Sequence, residues 1–143
     1  MKLKQVSIFL ENKEGHLLTV IKLLGDNDIN IRSINIAENK DFGIVRLILN
    51  DSRKALEVLG ANGITAKITE IIAVEIDDKP GSLANILEIF HEHKINMEYM
   101  YGFIQRYSQK ALVVFRVDDI NNAIKVLSDN NINVINEKNI DIL

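Results

Sequence analysis

Cysteine is absent from this sequence, which removes disulfides, thiolate metal sites and cysteine nucleophiles together. An excess of one charge is absent too. Lys and Arg number 17 against 20 Asp and Glu, for a net charge of -3. A nucleic-acid footprint needs clustered cations, so that partner is not expected. No apolar run approaches the roughly 20 residues that a membrane span requires. The opening residues Met1-Lys2-Leu3-Lys4-Gln5 run straight into a strand-like pattern and hold no signal-peptide core. A cytoplasmic protein with no membrane contact is the expectation. What remains is a globular balance, with 47% apolar and 26% charged residues among 143.

The main signal is internal repetition. Glu11-Asn12-Lys13-Glu14-Gly15-His16-Leu17 lies over Asp77-Asp78-Lys79-Pro80-Gly81-Ser82-Leu83, so that Lys13 meets Lys79, Gly15 meets Gly81 and Leu17 meets Leu83. In the same register Val20 meets Ile86, Leu24 meets Phe90, Ile29 meets Ile95 and Asn30 meets Asn96. A two-residue insertion in the second copy then restores the match, pairing Asp51 with Asp119, Ala55 with Ala123 and Leu59 with Leu127. One unit of about 66 residues is written twice, with its seam near Thr69-Glu70. That period is too long for a solenoid and suits a very small domain. The expected division is residues 1–69 and 70–143, with the two copies packed on each other.

Each copy reads as βαββαβ. Val6, Ile8 and Leu10 alternate with polar neighbours, as in a half-buried strand. Leu17, Val20, Ile21, Leu23 and Leu24 recur at helical spacing, and Asn27-Asp28 ends that helix. Ile29 to Ile36 is a second strand, Glu38 to Asp41 a turn, and Ile44 to Leu49 a third strand. Asp51 or Ser52 caps a second helix that Gly63 closes, and Ile64 to Ile68 is a last strand. The second copy repeats this with strands over 71–76, 95–104, 111–117 and 132–135 and helices over 82–93 and 119–130. The order predicts an α+β fold, two ferredoxin-like modules in tandem, each an antiparallel sheet covered on one face by helices. The stripe Met97, Tyr99, Met100, Tyr101 and Phe103 reads as interface or core. Open sheet edges predict a homodimer.

The order alone assigns no function. The turn Asp78-Lys79-Pro80-Gly81-Ser82-Leu83, followed by a helix and Ile95-Asn96-Met97, resembles the ACT-domain pattern of Asp or Asn, any residue, Pro, Gly and an apolar residue. The first copy, Asn12 to Leu17 with Ile29-Asn30-Ile31, is similar but has Glu14 where that family usually has proline. The resemblance covers nearly the whole chain and extends to stand-alone proteins made of two such modules. It implies regulatory binding of an amino acid or similar metabolite in the service of a partner enzyme of amino-acid metabolism. In that family the effector sits where the turn of one module meets the second strand of its neighbour.

The candidate ligand-binding residues are Asn12, Gly15, His16, Leu17 and Asn30 in the first copy. In the second they are Asp78, Pro80, Gly81, Ser82, Leu83 and Asn96. A helix starting just after Gly81 points free N–H groups and a partial positive charge at whatever precedes it, which suits a carboxylate. Asp78 is placed to take the ligand's ammonium group. Plain structural roles stand beside these: Asn12 and Asp78 as turn caps, Gly81 as a turn glycine, Asn30 and Asn96 as strand-entry residues. His91 and His93, two apart on a helix, point to different faces, unlike a metal pair four apart. No metal or other cofactor is expected. Glu11, Glu14, Asp77 and Asp78 lie on two separate turns with no nucleophile beside them, so catalysis is not expected either. The competing function is an interaction subunit that pairs with an enzyme and binds no ligand itself. RNA binding is discounted, because Ile44–Leu49 offers only Arg46, and Ala111–Val117 only Phe115 and Arg116, where stacking aromatics beside basic residues are needed.

Overall fold

The computed structural model describes residues 1–38, 40–104 and 109–142. It separates into two compact units, Lys4–Thr69 and Met1–Leu3 with Glu70–Leu143. The fold is mixed α+β, built of two βαββαβ modules. In chain order the first copy gives β1 (Leu3–Glu11), α1 (His16–Asp26), β2 (Ile31–Glu38), β3 (Phe42–Leu49) and α2 (Ser52–Ala61). β4 (Ala66–Asp77) follows, then α3 (Ser82–Glu92), β5 (Met97–Ile104), β6 (Lys110–Val117), α4 (Ile120–Asp129) and β7 (Asn133–Val134). A 3₁₀ segment, Glu137–Ile142, closes the described chain.

In the Lys4–Thr69 unit, β3 pairs antiparallel with both β1 and β2, leaving β2 outermost. The register sets Val6 against Leu47 and Ile8 against Val45, so the apolar face that alternation predicts is shared by neighbouring strands. Val20 and Leu24 of α1 and Ala55 and Leu59 of α2 close over it, all fully buried. Burying one such leucine contributes about 1.5–3 kcal/mol. The start of α2 is fixed by Asp51, whose carboxylate accepts from the Lys54 N–H at 2.9 Å. α1 ends at Asn27, and Asp28 turns left-handed at φ 57, so β2 begins later than its apolar pattern suggests.

The Glu70–Leu143 unit repeats the plan. β6 pairs antiparallel with β4 and β5, and β7 adds to the other side of β4. Its core is larger-ringed: Phe90 of α3 meets Phe115 of β6 edge to face, with centroids 5.1 Å apart. Asp119 caps α4 through the Asn122 N–H at 3.1 Å, the same device as in the first copy. Met97 and Met100 of β5 pack on this core, whereas Tyr99 and Tyr101 pair with Arg116 and Val114 on the opposite face. The expected stripe is therefore split across two faces by strand alternation, and the irregularity between Met97 and Tyr99 sets Met97 on the same face as Met100. The side chain of Phe103, and Asn39 in the expected turn, lie outside the described residues.

One boundary differs from the sequence pattern. Separate strands were expected over 64–68 and 71–76, but β4 runs unbroken for 12 residues through Thr69-Glu70. The reason is chemical: from Ile64 to Asp77 there is no glycine, proline or asparagine to start a turn.

Candidate ligand-binding turns

The turn between β1 and α1 is tied down by its own backbone. The Asn12 N–H donates to the Asp41 carbonyl at 3.0 Å, Lys13 to Glu11 at 2.8 Å and His16 to Lys13 at 3.2 Å. Gly15 then enters the helix at φ 81, a left-handed conformation that disfavours any Cβ. The Glu11 carboxylate meets the Lys13 ammonium at 2.8 Å, which holds the carboxyl below its ordinary pKa and the lysine above its own. Beside the turn lies a cleft of about 230 Å³, lined by the apolar Leu10, Leu17, Ile36 and Val45 and by Asn12, Lys13 and His16.

The turn between β4 and α3 copies this plan with richer chemistry. Lys79 donates its N–H to Asp77 at 2.9 Å, Ser82 to Lys79 at 3.3 Å, and Gly81 takes φ 89 at the helix start. The Asp77 carboxylate is shared by two lysines, bonded by Lys110 from β6 and reached by Lys79 at 3.3 Å. The Lys110 contact comes first in holding the Asp77 carboxyl below the usual carboxylate range, and Lys79 adds to it. Asp77 in turn raises Lys110. Neither member titrates near neutrality, so the pair is a fixed dipole and a poor proton donor or acceptor there.

A cleft of about 550 Å³ opens beside this turn, within the roughly 300–1,000 Å³ usual for small-molecule sites. Pro80, Gly81 and Ser82 of the turn line it together with the charged Asp77, Lys79 and Lys110. Asn85 of α3, Asn131 of the α4–β7 connection, Asn133 of β7 and the apolar Ile76, Ile86 and Ile132 also line it. Asp78 lines a separate opening of about 470 Å³ with Gln109 and Lys110. Leu83 packs on the core. In the first copy Asn12, His16 and Leu17 line the smaller cleft, and Gly15 forms the helix cap beside it.

Asn30 and Asn96 are not brought to these turns within their own modules. Asn30 makes two bonds with Asn50, its N–H donating to the side-chain Oδ1 at 2.9 Å and its carbonyl accepting from the Asn50 N–H at 3.2 Å. Asn96 does the same with Asp118 at 3.3 and 3.1 Å. Both stand at the far end of their sheets from the turn, about 20 Å along an eight-residue strand. Of the cleft lining beside the β4–α3 turn, sequence reasoning named Pro80, Gly81 and Ser82 as ligand residues and missed the charged Glu75, Asp77, Lys79 and Lys110 and the three asparagines. Lys110 was recoverable only from the strand register that sets it opposite Asp77.

Among the described residues no group of three His, Cys, Asp or Glu side chains could hold a metal ion. The Nδ1 of His93 lies 2.9 Å from the Ile89 carbonyl oxygen of its own helix. No described helix is long and apolar enough to cross a membrane.

Two modules with glycine-capped turns at equivalent positions define a class, and comparison supplies the family. The family model for an ACT domain pair matches residues 1–143, and the chain belongs to that family. It is 31% identical over 102 residues to the acetolactate synthase small subunit of Buchnera aphidicola subsp. Baizongia pistaciae (strain Bp). That match takes in 69% of this chain and spans only 60% of the subunit. Among solved structures, protein BT0572 of Bacteroides thetaiotaomicron is 36% identical with a TM-score of 0.94, covering 100% of this chain and 98% of that one. The regulatory subunit of aspartate kinase from Thermus thermophilus shares the fold, with a TM-score of 0.62 at 15% identity over 88% of this chain and 91% of its own.

Proposed function

We propose that this chain is a non-catalytic regulatory protein of amino-acid metabolism that binds an amino acid at the β4–α3 turn. The observation that carries the reading is the juxtaposition at Gly81. A left-handed glycine opens an 11-residue helix at the edge of a 550 Å³ cleft. The helix start favours a carboxylate, and the cleft lining presents acidic and basic groups together, as a zwitterion requires. The turn of the first copy offers the same backbone with a smaller, more apolar cleft. The named relatives, a small subunit of one amino-acid enzyme and a regulatory subunit of another, agree with this role.

The test is a thermal-shift screen of the full chain against the common amino acids. A ligand confined to the folded state stabilises by about 2.7 kcal/mol at a hundredfold excess over Kd. A rise with one chemical family, lost in Gly81→Asp, supports the reading; no rise with any amino acid removes it.

A second reading, an interaction subunit without a ligand, is favoured by a separate observation. Phe9, Ile36 and Phe42 of the Lys4–Thr69 unit stand 41%, 46% and 57% exposed. Association of two copies, or of this chain with an enzyme, would cover them. A monomer by light scattering at micromolar concentration would argue against the homodimer.

A further inference from the structure

The cleft at the second turn has a wall that the first copy does not repeat. In the aligned repeat, Glu75 stands at the position of Phe9 and Lys110 at that of Phe42. Asn85 likewise replaces Thr19, Asn131 replaces Gly63 and Asn133 replaces Thr65. At each position an aromatic, glycine or threonine has given way to a charge or an amide. A generic consequence of the fold would occur in both copies; this polarity occurs in one.

The charges have a definite sum. Glu75 and Asp77 balance Lys79 and Lys110 around the cleft, so the wall matches a ligand of no net charge that carries both signs. The other polar side chains along the lining are Ser82 and three amides. Asn131 is held left-handed at φ 59, with its N–H bonded to the Ser128 carbonyl at 3.0 Å. Asn133 donates its amide N–H to Glu75 at 3.3 Å, which keeps its own carbonyl oxygen as an acceptor. Asn85 stands on the first turn of α3. An amide side chain offers donors and acceptors at once. A ligand ending in the same group pairs with such a wall, whereas a branched aliphatic end strips water from the amides and returns nothing.

We infer that the second turn selects an amino acid whose side chain ends in a carboxamide, over one with a branched aliphatic side chain. The inference rests on the reading of this turn as an amino-acid site. The preference expected in so open a cleft is on the order of tenfold or more.

The experiment is an NMR titration of the full chain with L-glutamine, L-asparagine, L-leucine and L-valine, following the backbone amides of Ser82, Asn85 and Asn131. A variant with Asn85→Thr, Asn131→Gly and Asn133→Thr installs the first copy's residues, and glycine suits the left-handed position. Should that variant unfold, Asn85→Thr alone, on an exposed helix position, gives the same comparison. Tighter binding of glutamine or asparagine by about tenfold, and loss of that margin in the variant, is the expected result. Equal or tighter binding of leucine or valine, or unchanged glutamine affinity in the variant, would overturn the selectivity and leave the turn an amino-acid site. No binding by any amino acid would remove that site, and the selectivity with it.

Discussion

Replacing Gly81 with alanine isolates the backbone contribution of the turn. The glycine sits at φ 89, and a Cβ built there meets no atom within 4 Å. No clash is added, so the whole effect is the strain of an L-residue in the left-handed region, about 1–2 kcal/mol. Gly15, at φ 81 with nothing within 4 Å, should lose the same amount on Gly15→Ala. Gly25 and Gly60 supply the control, since both lie inside helices and also have nothing within 4 Å. There alanine removes freedom from the unfolded chain and should stabilise by about 0.5 kcal/mol. Urea denaturation of the four variants gives the signs directly, with the Gly81→Ala midpoint falling and the Gly60→Ala midpoint rising. In thermal melts the first loss amounts to about 2–8 °C for a chain of this size. If Gly81→Ala and Gly60→Ala moved the midpoint in the same direction, the left-handed turn would not be the conformation in solution.

The other predictions concern caps and charge. Asp51→Ala and Asp119→Ala each remove a carboxylate that accepts from a helix N–H at 2.9 and 3.1 Å, so each should lose about 1 kcal/mol in urea melts. The charge prediction centres on Asp77, whose folded carboxyl lies below its ordinary value of 3.8 chiefly through Lys110. Its contribution is thus present above the unfolded value and is lost as pH falls through the lower, folded one, a window below about pH 4. In Lys110→Met the NMR titration midpoint of the Asp77 carboxyl should rise, though not fully, because Lys79 remains at 3.3 Å. An unchanged midpoint would mean that the pair is not formed in solution.

Much of the fold was legible because its determinants are local or repeated. Alternation at Val6, Ile8 and Leu10, helical spacing from Leu17 to Leu24 and caps at Asp51 and Asp119 each act within a few residues. The repeat doubled the weight of each. The strand ends beside the seam differ for the same reason: two copies suggest two strands, yet nothing between Ile64 and Asp77 breaks an extended chain, and one strand runs through. Tyr99 and Met100 crowd one strand, yet adjacent strand residues face opposite ways, and the irregularity that sets Met97 on the face of Met100 leaves no mark in composition.

The site was less legible because its chemistry is assembled across distance. Gly81 and Ser82 announce a helix start, and that much is local. The partner that distinguishes the second turn, Lys110, is 33 residues from Asp77 and arrives only through the β4–β6 register. Asn131 and Asn133 come from farther still, carried in by the connection that follows α4. Asn96 stands apart: the pairing of β5 with β6 sets it at the end of its own sheet far from Gly81, so a ligand contact there needs the turn of a neighbouring module, as the family pattern implies. Position in a repeat therefore identifies the backbone that both turns share. The side chains that make the two clefts unequal follow from pairing, which no single segment of sequence contains.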